Sequence, residues 1–311
     1  MPSPEPQSGR VADAPRGNWV DRYAPELVKP FARLARWDRP IGFWLLFWPC
    51  GFGIGLAAIA FPQNGFDWRG LILMFLGAIL MRGAGCTFND IVDRDIDAKV
   101  ARTRSRPIPS GRVTTWQAAI FLALQALLGL AILLQFNLTT IILGVVALLP
   151  VAIYPFMKRV TWWPQFFLGI AFSWGALVGW TAETNWLSLQ PLFLYIGSIL
   201  WVIGYDTIYA LQDVEDDALI GVKSTARLFG PRTRPLVGLF YAGAVVLWGL
   251  AGLAANGGPL FVVGLIMVAG MLAWQVWTLD ASVPNNPWVR FNFNRWVGFV
   301  LTAALLLEWW Q

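Results

Sequence analysis

The stretch WRGLILMFLGAILMRGAGCTFNDIVDRDID (68–97) runs from apolar residues, in number enough to cross a bilayer, straight into a cluster of acids. Its apolar part, 68–88, reads as a membrane span, and Asn89, Asp90, Asp93 and Asp97 end it. A second stretch, YDTIYALQDVEDD (205–217), repeats the arrangement at the end of another apolar run, with Asp206, Asp213, Asp216 and Asp217. Carboxylates are costly near a bilayer and tend to be kept there for chemistry. Residues four apart on a helix share a face, so Asn89, Asp93 and Asp97 form one stripe and Asp213 with Asp217 begins another. Mg2+ takes oxygen ligands and keeps waters and substrate phosphates in its shell, so the paired stripes read as a Mg2+-diphosphate site. The chain has no histidine, which removes His-dependent zinc chemistry and His general bases.

Working outward, 57% of the 311 residues are hydrophobic and only 13% charged, where soluble chains carry about a quarter charged. The chain is an integral membrane protein. Its fold class is all-α, a polytopic helical bundle of about nine spans of roughly 20 residues each. The expected spans are 41–60, 68–88, 115–134, 138–156, 163–182, 190–210, 236–255, 258–279 and 291–310.

Lysine and arginine collect in cytoplasmic loops. Arg10, Arg16, Arg22, Lys29, Arg33, Arg36 and Arg39 precede the first span, and Arg94, Lys99, Arg102, Arg104, Arg106 and Arg112 follow the second. Lys158 and Arg159 follow the fourth span, and Lys223, Arg227, Arg232 and Arg234 the sixth, whereas the loops near 61–67, 135–137, 183–189 and 256–257 hold none. This pattern predicts a multi-pass protein of a bacterial inner membrane, with the N-terminus and both acidic clusters on the cytoplasmic side. Topology and anionic lipid account for the net charge of +5 without a nucleic-acid partner. Cys50 and Cys86 fall in spans and read as packing residues. Residues 1–35 form a tail: 1–25 read as disordered, with Glu5, Asp13 and Asp21 arguing against a transit segment, and 24–36 as an interfacial helix. Residues 36–311 read as one transmembrane domain.

Each acidic cluster is followed by a basic stretch, KVARTRSRPIPSGR (99–112) and GVKSTARLFGPRTR (221–234), a loose echo that suggests pseudo-twofold halves with the site between them. Metal ions and fixed cations promote the departure of an allylic diphosphate by stabilising charge on its oxygens. The carboxylates would hold the metals, and Lys158, Arg159, Arg102 and Arg106 could grip the phosphates. A minority of the 19 Trp, 21 Phe and 6 Tyr would line an isoprenoid channel. An ion-coupled transporter or channel is the alternative from another class, but its charges should lie near midplane rather than at helix ends.

RWDRPIGFWLLFWPC (36–50), the stretch 81–113, YPFMKRVTWWPQFFLG (154–169) and YDTIYALQDVEDDALIGVKSTARLFG (205–230) together resemble the UbiA superfamily of membrane prenyltransferases. Within it the chain is most similar to the branch acting on 4-hydroxybenzoate; naphthoate, homogentisate or haem as acceptor is the alternative. The resemblance implies Mg2+-dependent transfer from a polyprenyl diphosphate to the 3-position of 4-hydroxybenzoate in ubiquinone biosynthesis. It implies metal ligation by Asn89, Asp90, Asp93, Asp97, Asp213 and Asp217, and catalytic roles for Asp93, Asp206, Asp213, Lys158 and Arg159. Substrate contacts would come from Arg39, Arg102, Arg106, Tyr154, Tyr209 and Lys223, with membrane lipid as the medium.

Overall fold

A computed structural model describes residues 11, 14, 15, 17–100, 103–219 and 221–311, without the side chain of Asp216. The expectations for Arg102, for Asp216 and for most of the segment before residue 17 fall outside these residues. Every regular element among the described residues is helical. In chain order they are α1 (Trp19–Tyr23), α2 (Lys29–Leu34), α3 (Ile41–Ala60), α4 (Trp68–Asp97), α5 (Thr115–Leu133), α6 (Leu138–Val146), α7 (Leu148–Val160) and α8 (Pro164–Ser173). There follow α9 (Gly175–Thr184), α10 (Leu189–Ala210), α11 (Val214–Leu219), α12 (Thr225–Phe229), α13 (Thr233–Ala254), α14 (Pro259–Trp277) and α15 (Asn286–Trp310).

Eight stretches among the described residues are long and apolar enough to cross a membrane. The ninth expected span, 291–310, belongs to α15, which carries Arg290, Asn292, Asn294 and Arg295 in its first turns and is not among the eight. Burial and pairing accommodate that polarity. Asn294 is fully buried, accepts from Trp201 Nε1 at 2.7 Å and donates to Gln275 Oε1 at 3.0 Å.

Two spans are interrupted, α6 from α7 at Ala147 and α8 from α9 at Trp174. Backbone groups loosened inside a membrane need internal partners. Tyr195 supplies one by donating its hydroxyl to the Ile170 carbonyl at 3.2 Å, and Trp174 Nε1 ties the second break to α6 through the Leu143 carbonyl at 2.9 Å, which also keeps its bond from the Ala147 N–H. The opposite departure is α4, whose 30 residues run about 45 Å at the α-helical rise. The hydrocarbon layer absorbs only about 30 Å, so the last turns, bearing Asn89 to Asp97, extend past it without a break in the helix.

The chain forms two compact units, one of Met1–Phe43 with Leu76–Ile132 and one of Trp44–Phe75 with Leu133–Gln311. In the first, Leu34, Ile108, Val113 and Ala118 form a core against which Phe31, Ile91 and Phe121 pack. Within the stretch expected as an interfacial helix, α2 buries Ala32, Arg33 and Leu34, and Leu34 packs against the loop between α4 and α5 and against α5 itself. Part of the expected tail is likewise helical: Asn18 caps α1 by accepting from Asp21 N, Trp19 Nε1 reaches the Trp37 carbonyl at 2.6 Å, and Asp21 pairs with Arg33 at 2.8 Å. In the second unit the rings of Phe52, Trp201 and Trp248 meet at 5.7–6.0 Å. Helices α3 and α9 cross closely because a Cβ on Gly179 would collide with the Cys50 carbonyl and one on Gly53 with the Ala176 carbonyl. Both cysteines are free.

Candidate active site

The first acidic cluster is built on the far end of α4, in the first unit. The α-helical period places residues 83, 86, 87, 90, 93 and 97 on one side, and Gly83, Cys86, Thr87, Asp90, Asp93 and Asp97 are all buried. Asp90 is fully buried, Asp93 1% exposed and Asp97 6% exposed. Asn89 is half-buried beside them, so the inward stripe is Asp90, Asp93 and Asp97 rather than the i, i+4 series from Asn89.

Buried charges require partners, and two arginines provide them. Arg36 Nη2 lies 2.6 Å from Asp90 Oδ1, while Arg106 Nη1 lies 2.8 Å from Asp97 Oδ2 and 3.4 Å from Asp90 Oδ1. Asp90 Oδ2 is buried with no hydrogen-bond partner among the described residues. Arg39 sits side-on to its own neighbour, with Nε 3.2 Å from Oδ1 of the buried Asp38 and Nη2 3.4 Å from its Oδ2.

Motif spacing assigns Arg36 no role, and its backbone explains why it matters. The Trp37 N–H bonds to the Ala32 carbonyl at 2.9 Å and the Arg36 N–H to the Arg33 carbonyl at 3.1 Å, the two bonds of a Schellman ending to α2. That ending puts residue 36 in the left-handed region, at φ 59°, where glycine is the usual choice. Among the described residues the three other non-glycine positions with positive φ are asparagines, which tolerate it. An arginine there costs about 1–2 kcal/mol, and its side chain returns the salt bridge to Asp90 and a 2.9 Å bond to the Arg33 carbonyl. The loop carrying Arg106 is fixed by Thr103 Oγ1 donating to the Asp97 carbonyl at 3.0 Å and by burial of Ile108 and Val113. Burial and the charge of Arg33 pull Arg112, in the same loop, below the usual arginine range.

The second cluster belongs to the second unit. Asp206 and Tyr209 occupy the last turn of α10, both half-buried, and the Tyr209 ring lies 4.7 Å from Phe291 and 6.1 Å from Trp288. Asp213 precedes α11, where its carbonyl accepts from the Asp217 N–H at 2.8 Å, and the Asp217 carbonyl accepts from Val222 N–H at 2.9 Å. Arg227 also holds the Asp217 carbonyl, at 3.3 Å, and bonds the Val222 carbonyl. The next residues dock on the end of α7: Lys223 N–H donates to the Lys158 carbonyl and Lys223 Nζ to the Val160 carbonyl, both at 3.0 Å. Thr225 is locked by Thr207 Oγ1 at 2.6 Å and by Gln165 Oε1 at 3.0 Å. Tyr154 and Lys158, four apart, share a face of α7. The second unit therefore docks Lys223, in the segment that follows Asp213 and Asp217, on the end of α7 that carries Lys158 and Arg159. Lys223 acts here as a cap on α7, and Arg227, Gln165 and Thr225 are supports to which the quoted motifs gave no individual role.

No three or more His, Cys, Asp or Glu side chains among the described residues converge as a ready-made metal cage.

Residues 46–298 match the model of the UbiA prenyltransferase family. The chain is 46% identical over 293 residues to 4-hydroxybenzoate polyprenyltransferase, mitochondrial, of Arabidopsis thaliana, covering 93% of this chain and 71% of that protein. It is 45% identical to the mouse protein of the same name, with 98% and 81% covered. Among solved structures, a UbiA homolog from Aeropyrum pernix K1 superposes with a TM-score of 0.72 at 26% identity, over 85% of this chain and 97% of that one. A UbiA homolog from Archaeoglobus fulgidus bound to DMAPP and Mg2+ gives 0.68 at 18%, over 89% and 98%, which is a likeness of fold. The relatives' names overturn the assignment to a bacterial inner membrane, since the Arabidopsis and mouse proteins are mitochondrial. The physical reason is that lysine and arginine asymmetry distinguishes the two faces of a membrane and carries no information on which membrane it is. The multi-pass architecture stands, and with the family's profile and such relatives along nearly its whole length, the chain belongs to the UbiA prenyltransferase family.

Proposed function

We propose that the chain transfers a polyprenyl group from a polyprenyl diphosphate to 4-hydroxybenzoate, at the ring carbon ortho to the hydroxyl, in ubiquinone biosynthesis. The identity of 45–46% over more than nine-tenths of the chain to enzymes named for that acceptor carries the reading. The buried carboxylates of α4 give it a chemical seat.

A divalent cation fits the donor set, because Asp90 Oδ2 is a buried carboxylate oxygen with no described partner and the surrounding acids offer only oxygen. In the first unit Asn89, Asp90, Asp93 and Asp97 would hold Mg2+, and in the second Asp213 and Asp217 would, with Asp206 upstream of them in the last turn of α10. Bound Mg2+ supplies charge neutralisation at the diphosphate oxygens. The chain's own cations, Arg106, Lys158 and Arg159, add to that neutralisation as the allylic C–O bond breaks and its electron pair leaves with the diphosphate. The ring carbon then attacks the allylic cation, a C–C bond forms, and the proton on that carbon is lost to restore aromaticity. Aromatic side chains such as Tyr209 and Phe291 shield the cation from water.

Purified protein given 4-hydroxybenzoate, geranyl diphosphate and Mg2+ should yield 3-geranyl-4-hydroxybenzoate. Absence of prenylated product with geranyl and with longer polyprenyl diphosphates would refute the reading. The acceptor's carboxylate needs a fixed cation, for which a bidentate arginine is the best-shaped group. The methyl ester of 4-hydroxybenzoate should therefore be a far poorer substrate by kcat/KM. Arg39→Lys and Arg159→Lys identify the contact, because the variant that loses it should lose the preference for acid over ester. Equal use of acid and ester by the unmodified enzyme would exclude recognition of an anionic acceptor.

A further inference from the structure

We infer that Arg106 is a resident counter-cation of the α4 carboxylates, which yields its place to a divalent cation and moves to the diphosphate, while Arg36 stays where it is. The inference rests on the proposed function and adds an order of events at that site. A single nitrogen of Arg106 bridges Asp97 Oδ2 and Asp90 Oδ1, two carboxylates two turns apart on one face. A positive charge thus already neutralises two of the carboxylates that would hold the metal. The unpartnered Asp90 Oδ2 shows that the two guanidiniums leave ligand capacity unused.

The two arginines differ in what holds them. Arg36 is bound from both ends, its backbone by the left-handed ending of α2 and its guanidinium by the Arg33 carbonyl and Asp90. Arg106 reaches in from a loop whose backbone is fixed independently, by Ser110 N–H on the Arg106 carbonyl at 3.0 Å, Val113 N–H on the Pro107 carbonyl at 3.1 Å, and the buried Ile108 and Val113. Its side chain can therefore rotate away without unfolding the loop. A dication arriving at Asp90 and Asp97 competes with Arg106 for the same carboxylate oxygens and is repelled by its guanidinium. The most favourable destination for that guanidinium is the anionic diphosphate, where the planar fork pairs two oxygens at once.

Exchange predicts opposite signs for two quantities in one variant. In Arg106→Gln, Mn2+ binding measured by electron paramagnetic resonance on detergent-solubilised full-length protein, without substrate, should tighten about tenfold, the scale of a neighbouring opposite charge on a carboxylate. The KM for geranyl diphosphate in the same variant should rise about tenfold or more, as one charge-assisted contact is lost. Arg94→Gln serves as the control for a general field effect, since Arg94 pairs with the exposed Asp95 at 3.5 Å, and its Mn2+ affinity should stay that of the parent. Unchanged or weaker Mn2+ binding in Arg106→Gln, or equal tightening in Arg94→Gln, overturns the exchange. If Arg106→Gln does not fold, Arg106→Met decides: it removes the charge but keeps an unbranched side chain, and Mn2+ affinity no higher than the parent's overturns the inference. Failure of the parent to bind Mn2+ even with a diphosphate present would instead sink the metal reading itself.

Discussion

Asp93→Ala should lower turnover at least about a hundredfold, the scale lost when one electrostatic group at a reacting centre is removed. Asp93 is 1% exposed on the inward face of α4, between Asp90 and Asp97, so no solvent-borne ligand can replace its oxygen cheaply. Asp213→Ala should show a loss of the same order, because its carboxylate opens the second motif at the start of α11. The measurement is the initial rate at saturating 4-hydroxybenzoate and prenyl diphosphate across a Mg2+ titration. Protein level in the membrane and melting temperature are recorded alongside, since a folding loss would imitate a catalytic one. Folded variants that retain near-normal Mg2+-dependent rates would remove both aspartates from the chemistry.

Arg36→Ala should destabilise the protein by about 3 kcal/mol, the lower end of what removing one partner of a buried ion pair costs, since Arg106 still reaches Asp90. Alanine leaves the strained left-handed backbone in place. Arg36→Gly loses the same ion pair but suits φ 59°, so it should be the milder change by about 1 kcal/mol. Arg36→Lys, which keeps a charge but not the planar fork, should fall between the parent and alanine. Unfolding in a denaturant series under mild detergent ranks the variants. If glycine and alanine prove equally destabilising, the backbone at residue 36 stores no strain; if neither destabilises, the salt bridge to Asp90 does not support the fold.

Legibility in the sequence followed the range of the interaction concerned. The spans at 41–60, 115–134 and 190–210 recur within a residue as α3, α5 and α10, because a bilayer imposes its length requirement on each segment separately. The acids of 89–97 were equally visible, since helical spacing is a local property. The identity of the inward face was not. Asn89 and Asp90 are one position apart, and only packing against α2 and the following loop buries Asp90 fully and leaves Asn89 half-buried. The breaks at Ala147 and Trp174 were hidden in continuous apolar runs, and the side chains that brace them, Tyr195 and the Trp174 indole, act across helices.

The sequence by itself determined that this is an all-helical membrane protein of the prenyltransferase family with two acidic clusters at helix ends, because composition, apolar run length and motif spacing are read residue by residue along the chain. Tertiary structure alone decided what neutralises those acids. No periodicity links Arg36 to Asp90, 54 positions away; the contact exists because the end of α2 turns left-handed and is buried beside α4. The same holds for Lys223, whose ammonium the folded chain assigns to the end of α7. A carboxylate's ability to bind a metal is set by its own oxygens, but the charge it faces while waiting for one depends on which distant cations the packed helices bring to it.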